Sequence, residues 1–195
     1  MNPNSAYFKD IMDDPANKIY TAQNWHPIYS INPQARILII GQAPGKRVQE
    51  TEIMWNDKSG DRLRNWMGIS REIFYDSGEI AVIPMDFYYP GKASSGDVPP
   101  RKGIAEKWHP KLLATMPNIQ LTILIGAYSQ KLYLNLPASA KITDIVKNYQ
   151  KFLPNYFPIV HPSPRNNIWL SRNPWFEQAV VPELQKQISK IMDKN

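Results

Sequence analysis

The residues best suited to chemistry lie in the segment HPSPRN, residues 161–166. An imidazole (His161), a hydroxyl (Ser163) and a guanidinium (Arg165) follow one another there at alternate positions, with prolines between them that stiffen the backbone. The hydroxyl and the guanidinium can both hydrogen-bond a phosphate group. The segment therefore predicts a phosphate-binding loop beside a histidine, although His161 could also be a purely structural residue at the end of a strand.

A second segment, GQAPG at residues 41–45, is rich in small residues. Gly41 and Gly45 allow the backbone to approach a ligand closely. The segment lacks the Gly-Lys-Ser/Thr ending of a phosphate loop, and it does not match the dinucleotide-binding fingerprint. Taken alone, it could also be only a tight turn.

Both segments follow short apolar runs, ILII at residues 37–40 and FPIV at residues 157–160. Continuous branched runs of this kind are typical of parallel strands that are buried on both faces. Open α/β sheets bind their ligands at the carboxyl ends of such strands. We therefore expect the two segments to meet and form one site.

The remaining pattern supplies the elements that must position this site. Strands are predicted at residues 36–41, 79–85, 120–125 and 156–160. Helices are predicted at residues 60–67 (capped by Ser59), 104–116 (broken at Pro110), 129–136, 144–151 (capped by Thr143) and from 173 onwards. Alternation of strands and helices predicts an α/β fold, a three-layer α/β/α arrangement around a four-stranded, mostly parallel sheet.

The chain of 195 residues is of a suitable length for one domain over residues 1–195, with residues 1–35 packed on it as a lead-in that begins with a helix at residues 7–12. Two long loops, residues 42–58 and 86–102, are candidates for a functional role. The last helix has a predicted inner face at helical spacing, made of Phe176, Val180, Leu184, Ile188 and Ile191.

Composition narrows the classes of function. The formal net charge is +6, which suits a polyanionic partner such as nucleic acid. With 0 cysteines, disulfides, cysteine-held iron–sulfur clusters and thiol nucleophiles are excluded. No apolar run is long enough to span a membrane, and no signal-peptide pattern is present, so a cytoplasmic location is expected.

Together, GQAPG and HPSPRN resemble motifs 1 and 2 of the uracil-DNA glycosylase superfamily, whose α/β/α fold agrees with the predicted elements. Residues 55–63, WNDKSGDRL, resemble the Phe-Val-Gly-x-Ser-Gly-x-Leu-Leu run of its thermostable family 4. PGKASSGDVPPR and WHPKLL resemble a bacterial uracil-DNA glycosylase-like subgroup. The resemblance spans about residues 36–180.

This resemblance implies roles for individual residues. Trp55 falls where an aromatic ring stacks on the flipped uracil, and His161 falls where a histidine stabilises negative charge on the carbonyl of the departing base. The implied base pocket also contains Gly41, Ala43, Asp86 and Phe87, with Gln42 as a second catalytic residue. The implied DNA-binding residues are Pro44, Gly45, Lys46, Ser163 and Arg165.

The implied reaction is hydrolysis of the N-glycosidic bond of uracil or a related deaminated base in DNA, with no metal or cofactor. Family 1 of this superfamily has a catalytic Asp where this chain has Ala43, and family 4 has a Glu where it has Gln42. Gln42 could position the water through a hydrogen bond, as an asparagine does in the mismatch-specific and single-strand-selective branches. Alternatively, a carboxylate could reach in from the loop that follows, either Glu50, Glu52 or Asp57.

Two other functions stay open. The chain could be a catalytically weak or inactive member of the fold that still binds DNA. It could also be an α/β hydrolase or nucleotide enzyme of unrelated chemistry, although it has no nucleophile elbow, phosphate loop or metal-ligand cluster. The expected partner is DNA; no membrane association and no obligate protein partner are predicted.

Overall fold

A parallel sheet forms the centre of the protein. In residues 5–94 and 98–193, which a computed structural model describes, the sheet consists of four strands. They are β1 (Ile37–Ile40), β2 (Ile80–Val82), β3 (Leu121–Ile125) and β4 (Tyr156–Ile159). The spatial order is β2-β1-β3-β4 and every pairing is parallel. The predicted α/β fold is confirmed, and each strand lies within its predicted range.

Helices connect and cover these strands. They are α1 (Phe8–Asp13), α2 (Lys18–Thr21), α3 (Lys46–Thr51), α4 (Lys58–Met67), α5 (Arg71–Asp76), α6 (Ile104–Leu113), α7 (Ala127–Tyr133), α8 (Ile142–Lys147), α9 (Asn167–Arg172) and α10 (Val181–Met192). Shorter 3₁₀ turns lie at Pro15–Asn17, Tyr149–Phe152 and Pro164–Asn166, and a π-helical turn at Phe176–Val180 precedes α10. None of the helices in the described ranges is long and apolar enough to cross a membrane.

The sheet is covered on both faces, which explains why its strands are continuously apolar. Alternate residues of β1 point to opposite layers. Ile37 and Ile39 join a core with α4 and α10, while Leu38 and Ile40 join a second core with α1 and α6. All four side chains are fully buried, and each such burial stabilises the fold by about 1.5–3 kcal/mol.

The lead-in contributes to the second of these cores. Phe8 and Ile11 on α1 are buried there, as are Tyr20 and Tyr29. Ser30 also forms an antiparallel bridge with Val82 at the edge of the sheet. Residues of the lead-in thus contribute to this core and to the edge of the sheet. Residues 1–4 lie outside the described residues, and the single domain over residues 1–195 with its packed lead-in stays a prediction.

Several predicted helix boundaries were wrong. The segment at residues 42–58 was predicted to be a loop, but it contains α3. This short helix buries Val48 and Gln49 against the body of the protein and leaves its other polar residues outside. The cap of α4 is Asp57, whose side chain accepts a hydrogen bond from the Gly60 backbone amide at 2.9 Å, rather than Ser59. Similarly, the cap position of α8 is Lys141 and not Thr143.

α6 runs through Pro110 without the predicted break. A proline costs the helix one hydrogen bond, but its neighbours are firmly held. The Trp108 indole donates to Asp14, and the His109 ring bonds the Pro84 carbonyl. The predicted inner face of the C-terminal helix is buried throughout, with Pro182 in the first turn of α10 directly after the π-helical turn.

Candidate active site

The order of the strands locates the site. From β1 the chain crosses to β2 on one side, and from β3 it crosses to β4 on the other side. Such a reversal leaves a crevice at the carboxyl ends of the two central strands, where α/β sheets bind ligands. A cavity of about 520 Å³ opens at this position.

Most of the residues that were selected from the sequence line this cavity. They are Gly41, Gln42, Ala43, Pro44, Gly45, Trp55, His161, Ser163 and Arg165. The two motifs therefore meet, as expected, although they do not follow neighbouring strands. Because β3 lies between β1 and β4, the residues after β3 also contribute, and Tyr128 on α7 lines the cavity with 41% of its surface exposed.

Tyr128, Asn166 and Ser59 are polar lining residues that were not assigned to the site from the sequence. The apolar wall of Ile28, Val48, Met54, Val82 and Pro84 was likewise not assigned to the site. The signal for Tyr128 was available, because it comes two residues after the glycine that ends a buried strand. It could be interpreted only once the strand order was known.

The ring of His161 is held by its own loop. The backbone amide of Ser163 donates to Nδ1 at 3.1 Å, and the Asn166 side chain donates to the His161 carbonyl at 2.7 Å. Because a backbone amide can only donate, Nδ1 must accept, so the neutral ring carries its proton on Nε2. His161 is therefore prepared as a neutral hydrogen-bond donor.

Trp55 lies beside this histidine, with the two ring centroids 5.6 Å apart and the planes tilted by 36°. Its backbone has a left-handed conformation, with φ of 55°. Such conformations are costly for large side chains and persist only when neighbours enforce them. Arg64 does so here, donating from Nη1 to the Trp55 carbonyl at 3.1 Å.

Two glycines make room for Trp55. A Cβ at Gly60 would lie 1.6 Å from the Trp55 carbonyl oxygen, and a Cβ at Gly41 would lie 3.3 Å from the indole ring. Thus Gly41 of the first motif and Gly60 on α4 both serve to place the aromatic wall of the cavity.

Gln42 is held at its main chain and its side chain. Its carbonyl accepts from the Asp86 amide at 3.1 Å, and its side-chain Nε2 donates to the Val98 carbonyl at 3.4 Å. Because the amide nitrogen is the donor in the second bond, the side-chain oxygen remains the accepting end of this group.

The three carboxylates considered for water activation differ in position. Glu50 is exposed and pairs with Lys46 at 3.6 Å, whereas Glu52 pairs with His26 Nδ1 at 2.6 Å, and neither lines the cavity. Asp57 does line it, with Oδ1 occupied by the cap of α4. Asp57 is therefore the carboxylate of the three that can reach a ligand.

Asp86 and Phe87 are not where the resemblance placed them. Both side chains are fully buried and neither lines the cavity. The Asp86 carboxylate forms an ion pair with Arg101 at 2.7 Å, and Phe87 packs edge-on against Tyr29. The predicted contact of these two side chains with a base was wrong, because the chain turns them into the core immediately after β2.

Cationic and polar groups lie in the cavity lining or close to it in the chain. Arg165 is exposed, while the Ser163 hydroxyl accepts from the Arg165 amide at 3.2 Å and so shapes the loop. Arg62 on α4 donates to the Ser163 carbonyl at 3.4 Å. Lys46 does not line the cavity, but it begins α3 directly after the first motif and its side chain is 70% exposed.

Comparison with known proteins identifies a family and a similar solved structure. A model of the uracil DNA glycosylase superfamily matches residues 28–185. The chain is also similar to a protein of Methanosarcina acetivorans, solved by solution NMR and provisionally described as a uracil DNA glycosylase. These two chains share 11% identity with a TM-score of 0.46, over 80% of this chain and 93% of that one. The family assignment depends on the first match.

Proposed function

This chain belongs to the uracil DNA glycosylase superfamily, and we propose that it is a DNA glycosylase that removes uracil or a related deaminated base from DNA. The observation that carries the proposal is the cavity in which the Trp55 ring lies next to a His161 with its proton on Nε2. A planar base can stack on the indole while the imidazole donates to its carbonyl oxygen.

The proposed chemistry begins with removal of the target nucleotide from the base stack, because its glycosidic bond is inaccessible within a duplex. As the bond between C1′ and the base nitrogen breaks, the base takes the electron pair and its carbonyl oxygen becomes negative. The Nε2–H of His161 stabilises this charge. Water then adds to C1′ and loses a proton, leaving an abasic sugar.

Two groups are candidates for orienting this water. Gln42 offers an amide oxygen whose nitrogen is already hydrogen-bonded to Val98. Asp57 offers a carboxylate, which can also accept the proton. Asp57→Asn is a selective test, because the asparagine side chain can still cap α4 but cannot accept the proton from water.

The DNA itself would lie across the cavity opening. Pro44 and Gly45, together with Lys46, would contact the backbone from one side, and Ser163 and Arg165 from the other. The formal net charge of +6 supports a polyanionic substrate. Bacterial origin, a cytoplasmic location and action without metal, cofactor or obligate protein partner remain predictions from the sequence.

The proposal is tested with oligonucleotides that contain U·G, U·A, single-stranded U, hypoxanthine or xanthine, followed by alkaline cleavage at abasic sites. We expect cleavage of at least one substrate, and we expect His161→Ala to reduce excision about 100-fold or more while leaving DNA binding within about threefold. His26→Ala is the matched control, since His26 does not line the cavity. Equal losses of binding and excision in His161→Ala would mean that this histidine only holds the loop.

A second candidate is a DNA-binding member of the family without catalysis. The specific observation in its favour is that the first motif has Gln42 and Ala43 where families 4 and 1 of the superfamily have a carboxylate. No abasic product from any of the five substrates, together with tight binding to DNA, would establish this alternative.

A further inference from the structure

A buried ion pair lies next to the first motif. Arg101 donates to Asp86 from both Nε, at 2.8 Å, and Nη2, at 2.7 Å. The Arg101 backbone amide also donates to the Asp86 carboxylate, at 3.1 Å. Because Asp86 is fully buried, this planar, two-point contact fixes the main chain and the side chain of Arg101 together.

Arg101 is also anchored on the lead-in. Its Nη2 donates to the Asn17 side chain at 2.8 Å, and its Nη1 donates to the Ala16 carbonyl. The guanidinium lies over the Tyr20 ring, 4.6 Å from the centroid. Arg101 therefore joins the end of β2 to the N-terminal helices.

Both hydrogen bonds that hold Gln42 come from residues that belong to this ion pair or lie close to it in the chain. Its main-chain carbonyl is bound by the amide of Asp86, and its side-chain amide is bound by the carbonyl of Val98, three residues before Arg101. The two intervening residues are Pro99 and Pro100. Prolines have a fixed φ and restrict the residue before them, so the position of the Val98 carbonyl follows from that of Arg101.

We propose that Asp86 and Arg101 are positioning residues for Gln42. Their ion pair holds the Val98 carbonyl where it takes an amide hydrogen, and this keeps the amide oxygen of Gln42 turned as an acceptor for water or for the base. The inference rests on the proposed function, since it gives Gln42 a task in the reaction. It also assigns Asp86 a purpose other than direct contact with a base.

The first experiment is a double-mutant cycle on base excision. Asp86→Asn removes the charge with little change of shape, and we expect it to lower kcat about tenfold with little change in KM, a size typical of directly coupled residues. In a Gln42→Ala background, the same substitution should have almost no further effect. Losses that multiply in the double variant would overturn the proposal, because Asp86 would then act independently of Gln42.

The second experiment needs no activity and tolerates a weakened fold. Arg101→Lys keeps the charge but loses the two-point contact, and the Gln42 side-chain amide is followed by ¹⁵N NMR, assigned with Gln42→Ala. In the wild type, we expect the Gln42 side-chain amide to be protected from exchange with water and to have a shifted resonance. In Arg101→Lys, we expect the resonance of a solvent-exposed amide. An unchanged signal would refute the placement of Gln42, whereas the absence of excision on every substrate would refute only the proposed function.

Discussion

The buried imidazole of His109 should make the stability of this protein depend on pH in a measurable way. His109 is 2% exposed; Nε2 bonds the Pro84 carbonyl at 2.9 Å, and Nδ1 bonds the Tyr133 hydroxyl at 2.6 Å. A carbonyl can only accept, so Nε2 carries the proton and Nδ1 accepts from tyrosine. Burial disfavours the charged ring and lowers the pKa of His109 from 6.5 to about 4.

The direction of the effect follows from proton binding. Between the two pKa values, the unfolded chain binds a proton on His109 that the folded protein does not, so the free energy of unfolding falls as the pH falls. One pKa unit corresponds to about 1.4 kcal/mol. At pH 7 the contribution is close to zero, and by pH 5 the folded protein should have lost about 2 kcal/mol through this residue.

Urea unfolding of the wild type and of His109→Gln at both pH values isolates this contribution. Glutamine can place an amide near the position of Nε2 and donate to Pro84, but it does not titrate. Every other titrating group is shared by the two proteins. Between pH 7 and pH 5, we expect the free energy of unfolding to fall by about 2 kcal/mol more in the wild type than in the variant. This difference corresponds to a shift of roughly 1 M in the urea concentration at the unfolding midpoint. The same pH dependence in both proteins would refute the assignment of a buried neutral His109.

Three further predictions concern the site. In urea unfolding, Gly60→Ala should reduce the free energy of unfolding by about 3 kcal/mol or more, because the added Cβ would meet the Trp55 carbonyl. Gly45→Ala is the control: its Cβ would enter open space, so the free energy of unfolding should change by less than about 1 kcal/mol. Tyr128→Ala should weaken the binding of single-stranded DNA by about 1–3 kcal/mol in fluorescence titrations, whereas Tyr128→Phe keeps the stacking surface and should keep the affinity. If both variants lost the same affinity, stacking on this ring would be ruled out. The logarithm of the DNA-binding constant should fall linearly with the logarithm of the salt concentration, and Arg165→Ala should reduce the magnitude of this slope by about 1. An unchanged slope would exclude a contact between Arg165 and a phosphate.

The fold was largely accessible from local patterns. Each strand is a short apolar run that ends at a glycine, proline or histidine, and burial on both faces requires such a run. Gly68 ends α4 where expected, with φ of 69°. The cap of the same helix was misplaced, because Asp57 and Ser59 are both good capping residues, and only the bond from Gly60 decides between them.

The sequence by itself determined the class of the fold, and nine of the twelve residues that were selected from it line the cavity. Eight of these nine come soon after the buried strands β1 and β4, where α/β sheets bind ligands, whereas Trp55 was selected through the resemblance to the family. Tertiary structure alone decided which strands are neighbours, and thereby added Tyr128 after β3. It also separated Asp57, which reaches the cavity, from Glu50 and Glu52, which pair elsewhere. Finally, it turned Asp86 inward onto Arg101, because a carboxylate fully removed from water requires a charged partner, and that partner comes from a residue 15 positions away.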